Sequence, residues 1–485
     1  MSSDTESPIM NFKKVSIFQL LKRLLGKDTS AYTKQEPLQI NDWDALELLL
    51  REMASEKGGE ARSRERAARA LEFYLRTEGD DRKRFLSILN DSFEVDEQNV
   101  RRSIDTYLNA ADSRLKSRAA GLLLNNLESP RARILRQFNL LPNGVHELVS
   151  IRSELLRLGR DGEFIGLNQD LLRLFTSWFD IGFLELKRIG WSSPASLLEK
   201  LIRYEAVHEI KSWGDLRNRV DSDRRCYAFF HGRMPEEPLI FVEVALVQGI
   251  ATSVQALLDE NYPTLDPETA DTAIFYSISN AQVGLRGVSM GEFLIKRVVE
   301  QLLYEFPKLQ NFATLSPVPG FARWLDKRLE CSGALPAELA NKLLGDGETS
   351  SEAIRRHLNA EFESDRPVQL QLKEWLLSEC AYYLAQENKK GIPVDPVARF
   401  HFSNGASLGR INWLADSSKA GLRQSYGLMV NYMYKLREID SNHLAYAESG
   451  ALSVADEIQK LVVAAQLRRR NEVGSKLKGK HSVEN

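Results

Sequence analysis

Proline divides this chain. Only four of its 16 prolines, Pro8, Pro37, Pro130 and Pro142, precede residue 190, and the other 12 follow it. A proline within a helix removes a hydrogen bond and clashes with the turn before it. The proline-poor part is therefore free to form helices. Its stretches "ARSRERAARALEFYLRTEG", "DRKRFLSILNDSF" and "LVSIRSELLRLGRDG" place apolar residues at helical spacing. Gly79 and Gly159 stand where helices would stop. No fixed-period repeat marks a solenoid.

After residue 190 the rhythm changes. "RCYAFF" (225–230), "LIFVEVALV" (239–247), "AIFYSIS" (273–279) and "NFATLS" (311–316) are β-branched and aromatic runs of strand length. Helical patterns interleave with them. The clearest, Gly291 to Phe306, gathers Leu294, Ile295, Val298, Val299, Leu302, Leu303 and Phe306 on one stripe. A helical domain thus precedes an α/β or α+β domain, with the join near residues 178–190. The polar residues 468–485 read as a disordered tail.

A chain of 485 residues that is 43% hydrophobic can bury a sizeable core in two or three domains. A formal net charge of -2 leaves no electrostatic footprint for nucleic acid. Cys226, Cys331 and Cys380 are odd in number, far apart and without metal-ligand spacing, which fits a reducing compartment rather than a disulfide framework or a zinc site. No run approaches the roughly 20 apolar residues of a membrane span. "MSSDTESPIM" lacks the basic and apolar regions of a signal peptide. Ser475-Lys476-Leu477 resembles a peroxisomal address, but further residues follow it. The expectation is a soluble cytoplasmic protein with no membrane and no nucleic-acid partner.

Chemistry first suggests itself in "NAQVGLRGVSMGEFLIKRVVEQL". A strand runs into a loop containing Gly284, Gly287 and Gly291, and the loop opens onto a helix whose free N–H groups and dipole favour an anion. No Gly-Lys-Ser/Thr follows, and the glycine spacing is not that of a dinucleotide fingerprint. The stretch resembles the acyl-CoA pyrophosphate loop of GNAT-type acyltransferases, Gln/Arg-x-x-Gly-x-Gly/Ala. Here that motif is filled by Arg286, Gly287, Val288, Ser289, Met290 and Gly291, with Ser289 replacing a glycine. A plain glycine-rich β–α turn would have the same composition.

Two further residues attract attention. In "ATLSPVPGF", Ser316 ends an apolar run and is followed by Pro317 and Pro319. A residue before proline is pushed to extended geometry, so this can be an ordinary strand exit or a serine fixed for a site. In "FHFSNGASLGRINWLADSS", His401 alternates with aromatics as in a strand. A lone histidine there can equally be a satisfied core residue. No G-x-S-x-G elbow, H-E-x-x-H or metal-spaced cluster is present.

The chain resembles the malonyl-CoA decarboxylase family over long stretches from Leu167 to Leu436. Among them are "GFLELKRIGWSSP", "EAVHEIKSWGDLRNRV", "AIFYSISNAQVGLRGVSMGEFLIKRVVEQLLYEFP", "TLSPVPGFARWL" and "HFSNGASLGRINWLADSSKAGLRQSYGLMVNYMYKL". The resemblance implies a multidomain α and α+β protein. An all-helical N-terminal oligomerisation domain (1–180) would precede a GNAT-like catalytic α/β domain (181–467). It implies that the CoA thioester binds at Arg286, Gly287, Val288, Ser289, Met290, Gly291 and Glu292, and that Ser316 and His401 form the active site. Malonyl-CoA would be the substrate, with no metal and no organic cofactor, and the assembly a homo-oligomer, a tetramer built from dimers. Some members carry a glutamate where this chain has Ser289, and the nearest acid here is Glu292. A GNAT-like domain also suits amine acylation, and a catalytically silent acyl-CoA sensor would share the same loop.

Overall fold

A computed structural model describes residues 38–39, 42–159, 162–220, 223–288, 290, 294–332, 335–359 and 366–481. The chain divides into two compact units, Met1–Trp178 with Val283–Val288, and Phe179–Gln282 with Ser289–Asn485.

Among its described residues the first unit is helical. Its helices are Trp43–Ala54, Gly59–Arg76, Gly79–Asp91, Glu97–Leu108, Ser113–Leu127, Pro130–Phe138, Gly144–Leu158 and Ile165–Trp178. Several begin as their sequences dictate. Asp42, Asp96, Asp112 and Ser129 each accept a backbone N–H at a helix start, and Pro130 follows Ser129 at the first helical position. Gly159 caps its helix as expected. Gly79 does not: the preceding helix has already ended at Thr77, and Gly79 opens the next one. Leu46, Leu50, Phe85, Ile134, Leu135, Phe138 and Leu148 are fully buried and form the core. Within it the Arg131 guanidinium, 2% exposed, donates to Asp170 at 2.8 Å and to the Asn90 carbonyl at 2.5 Å. The helices Glu97–Leu108 and Ser113–Leu127 bury only Ser103 and Ala119 and leave Leu108, Leu122 and Leu124 exposed.

The second unit is built on a mixed sheet. Its strands are β1 (Leu184–Ile189), β2 (Arg224–His231), β3 (Ile240–Val247), β4 (Thr272–Asn280), β5 (Asn311–Thr314), β6 (Ser316–Pro317), β9 (Ser407–Asn412) and β10 (Met429–Met433), while β7 (Asn388–Lys389) and β8 (Ile392–Pro393) form a separate hairpin. β1 to β5 lie side by side in chain order, and β10 lies against both β5 and β6, with β9 pairing β10. Among the described strand pairs, β4 with β5 is the parallel one. Helices Ala195–Tyr204 and Trp213–Val220 pack apolar residues on β2 and β3. Between β6 and β9 the chain inserts four helices, Phe321–Ser332, Ala337–Leu343, Ser350–Asn359 and Arg366–Gln386, and a fifth, Pro396–Ser403. A helical region followed by a mixed sheet, with a parallel β4–β5 pair spanning the glycine-rich loop and a helix, is the GNAT-like class the resemblance implies.

The sheet opens at one point. β4 and β5 pair from Thr272/Asn311 to Phe275/Thr314, and the Leu315 N–H closes the ladder on the Phe275 carbonyl at 2.9 Å. β3 pairs Glu243 with Ser277 but Val244 with Phe275, so Tyr276 is a bulge residue. Beyond it β4 is paired on one side only, which leaves a notch beside β5 and β6. Glu205 holds the lone segment by accepting from Ser277 and Ser279.

The last helix runs from Asp456 to His481. It corrects the expectation of a disordered tail from residue 468. Alanine, leucine, lysine and arginine propagate the helix without a proline. Arg469 donates to Glu379 at 2.6 Å and lies 3.5 Å from the Tyr382 ring centroid, so packing continues past Leu467. Residues 482–485 lie outside the described residues.

Candidate active site

Extended geometry carries the chain through Thr314, Leu315 and Ser316, so side chains two apart share a face. Ser316 and Thr314 therefore meet, and the Ser316 hydroxyl donates to Thr314 Oγ1 at 2.9 Å. Ser316 is also paired with Val430 of β10. Pro317 follows directly, fixing its own φ and holding the serine extended.

His401 arrives from another element, and not from the strand its alternation predicts. It lies in the helix Pro396–Ser403. The decisive signal is Asp395-Pro396. The Asp395 carboxylate accepts the N–H groups of Val397 and Ala398, and proline takes the first helical position. The helix delivers the His401 Nε2 to 3.0 Å from Ser316 Oγ. On the other side of the ring, Nδ1 lies 2.8 Å from the Tyr434 hydroxyl. Tyr432 stacks against the imidazole with centroids 4.4 Å apart.

The result is a buried row: Tyr434, His401, Ser316 and Thr314. Donors and acceptors run through it in one direction. Tyr434 O–H donates to Nδ1, Nε2–H to Ser316 Oγ, and Ser316 O–H to Thr314 Oγ1, which also takes the Tyr432 N–H at 3.1 Å. None of the four is more than 6% exposed. Burial pushes the His401 pKa down to about 3 and the Tyr434 phenol well up. The resting imidazole is neutral, and each of its nitrogens has one partner. A cavity of about 130 Å³ reaches Tyr434 and is walled by Ile295 and Lys296 of the Leu294–Glu305 helix and by Ser403 and Asn404. The helix that follows the glycine-rich loop therefore faces the same cavity as the row.

Of the loop itself, Arg286 and Gly287 are exposed, Val288 is half-buried and Met290 is buried. Arg286, Gly287 and Val288 belong to the first unit. Ser289, Gly291 and Glu292 lie outside the described residues. Thr314 and Tyr434 were missed in the sequence. The signal was present, since "NYMY" alternates to put Tyr432 and Tyr434 on one strand face, but nothing local says what that face meets.

Residues 182–473 match the model of the malonyl-CoA decarboxylase C-terminal domain, and residues 93–179 that of the N-terminal domain. The chain belongs to the malonyl-CoA decarboxylase family. The mitochondrial malonyl-CoA decarboxylase of Mus musculus is 39% identical over 356 residues, which cover 70% of this chain and 72% of that one. That of Anser anser anser is 36% identical over 430 residues, covering 82% and 83%. The crystal structure of malonyl-CoA decarboxylase from Rhodopseudomonas palustris is 41% identical, with a TM-score of 0.77, and covers 87% of this chain and 100% of that one.

In this malonyl-CoA decarboxylase family member, the buried histidine has a measurable signature. Below the ordinary histidine value of about 6.5 the unfolded chain takes up a proton that folded His401 refuses. That difference lowers stability as pH falls, until the folded value of about 3 is reached. Glutamine cannot titrate. In thermal unfolding, His401→Gln should show a shallower loss of Tm between pH 6.5 and pH 4 than the unmodified protein. Equal slopes would mean that the site takes up a proton readily.

Proposed function

We propose that the chain converts malonyl-CoA to acetyl-CoA and CO2, as a carboxy-lyase that uses neither metal nor organic cofactor. The observation that carries this reading is the buried hydrogen bond between Ser316 and His401 in a chain of this family. The chemistry needs no outside electron sink. When the bond between the α-carbon and the carboxylate breaks, its electron pair moves onto the thioester oxygen as an enolate. CO2 leaves, and the α-carbon then takes one proton.

Each step has a candidate among the residues. Ser316 orients the malonyl carboxylate or thioester through its hydroxyl. In this reading, backbone N–H groups along the unpaired edge of β4 beyond Phe275 serve the enolate oxygen, a contribution typically of about 3–4 kcal/mol per donor. His401 supplies the proton, directly or through a water. A neutral imidazole gives up Nε2–H only if Nδ1 gains a proton in the same event, and the Tyr434 hydroxyl is 2.8 Å from Nδ1. The cavity at Tyr434 can restore that proton from solvent. Arg286, Gly287, Val288, Ser289, Met290, Gly291 and Glu292 bind the CoA moiety in this reading.

For the assembly, a tetramer built from dimers is supported by the helices Glu97–Leu108 and Ser113–Leu127, whose Leu108 and Leu124 are 67% and 68% exposed. A cytoplasmic setting is supported by three free thiols, two of them buried. Among the described residues no helix is long and apolar enough to cross a membrane.

The test is product formation by the purified protein from malonyl-CoA alone, with chelator present and no amine. Acetyl-CoA and CO2 in equal amounts are expected. CoA binding without turnover would leave an acyl-CoA sensor, and turnover only with an added amine would leave an acyltransferase.

A further inference from the structure

The first residues of the glycine-rich loop are folded as part of the helical unit, and one side chain holds them there. Arg152 lies in the helix Gly144–Leu158 and is 3% exposed. Its Nη1 donates to two carbonyls of the loop, Gly284 at 2.7 Å and Arg286 at 2.9 Å, and its Nε donates to Asn168 Oδ1 at 3.0 Å. The seat is tight. A Cβ on Gly284 would lie 2.0 Å from the Val149 carbonyl oxygen, one helical turn before Arg152.

The peptide plane gives this clamp a consequence. In a trans peptide the C=O of one residue and the N–H of the next point in opposite directions. Drawing the Arg286 carbonyl onto Arg152 therefore turns the Gly287 N–H away from it. That N–H meets no acceptor among the described residues. Gly287 has φ +90, a geometry that keeps this turn open to glycine and strained for other residues. The charges are unbalanced as well. Arg152 is held below its ordinary pKa by burial and by the nearby positive charge of Arg286. No carboxylate among the described residues pairs with either guanidinium. Two adjacent cations without an acid, beside an outward N–H, form a place for a phosphate.

We propose that Arg152 is a positioning residue for the phosphates of the CoA thioester, shaping the Gly284–Gly287 loop from within the helical unit without touching the reacting atoms. The proposal rests on the reading of this loop as the CoA site and adds the part of the helical unit in forming it.

The test compares malonyl-CoA with malonyl-pantetheine, which has the same reacting end and no phosphates. Arg152→Met is expected to raise the KM for malonyl-CoA about ten- to a hundredfold, the usual range for hydrogen bonds to charged groups. Its kcat should stay within about twofold, as expected for an interaction equal in ground and transition states. On malonyl-pantetheine, kcat/KM should match that of the unmodified protein. Arg152→Lys keeps the charge and loses the fork, so an intermediate KM is expected. Gly284→Ala leaves Arg152 in place and pushes the loop off Val149. It should reproduce the same split and stands in should Arg152→Met fail to fold. An equal loss on both substrates, or an unchanged KM for malonyl-CoA, overturns the proposal. If the unmodified protein does not turn over malonyl-CoA at all, the decarboxylase reading fails by itself. Calorimetric binding of CoA against pantetheine then decides the role of Arg152 on the same terms.

Discussion

His401→Ala is expected to lower turnover of malonyl-CoA by about 10²–10⁴-fold, the range typical of a placed proton donor. Ser316→Ala should fall in the same range. The two residues share one hydrogen bond at 3.0 Å, so the double variant should be barely worse than either single one. Additive losses would mean that the two act in separate steps. The Tm of each variant guards against a trivial explanation, because both side chains are buried. Tyr434→Phe gives a finer reading. It keeps the ring beside Phe275 and removes only the hydroxyl at Nδ1. If the phenol helps the imidazole release its proton, kcat should drop while the KM holds. If His401 acts by orientation alone, Tyr434→Phe should be nearly silent.

The second large effect concerns stability in the helical unit. Arg131 is 2% exposed, and its Nε lies 2.8 Å from Asp170, itself 6% exposed. Arg131→Met leaves the buried carboxylate with the Ser129 hydroxyl at 2.6 Å and the solvent-exposed Arg173 guanidinium at 3.8 Å. The expected cost is about 3–5 kcal/mol by denaturant unfolding. Adding Asp170→Leu to that variant should recover most of the loss, because removing both charges spares the desolvation that removing one exposes. A double variant as unstable as the single one would place the effect in the carbonyls of Leu89 and Asn90, which Arg131 also engages.

The two halves of the chain were legible for different reasons. Helices in the first unit follow from spacing and caps, both local. β2, β3, β4 and β5 follow from short apolar runs. β1 has no clear strand signal, because "LELKRI" is an edge strand with exposed Glu185, Lys187 and Arg188 and lacks the continuous apolar run of its neighbours. Ser316 and His401 were named through family resemblance. Their meeting joins residues 85 positions apart, which no spacing rule reaches. The structural state of His401 was misread because Phe-His-Phe imitates strand alternation, whereas Asp395-Pro396 five residues earlier starts a helix. Arg152 gave no sign at all. On a helix that also carries Arg157 it reads as a solvated charge, and only the fold shows two backbone carbonyls converging on it.

The seating of residues 283–288 among helices that end at Trp178 also bears on how the protein is made. A ribosome releases the helical segments first, and roughly a hundred residues more must be added before Gly284 and Arg286 emerge. At about 5–20 residues per second that interval lasts several seconds. Throughout it the Arg152 guanidinium has no loop carbonyls to receive its hydrogen bonds, and the nascent helical unit must keep that cation hydrated. Its final closure therefore waits for the strand that precedes the loop, so the first part of the chain to be synthesised is not the first to be finished.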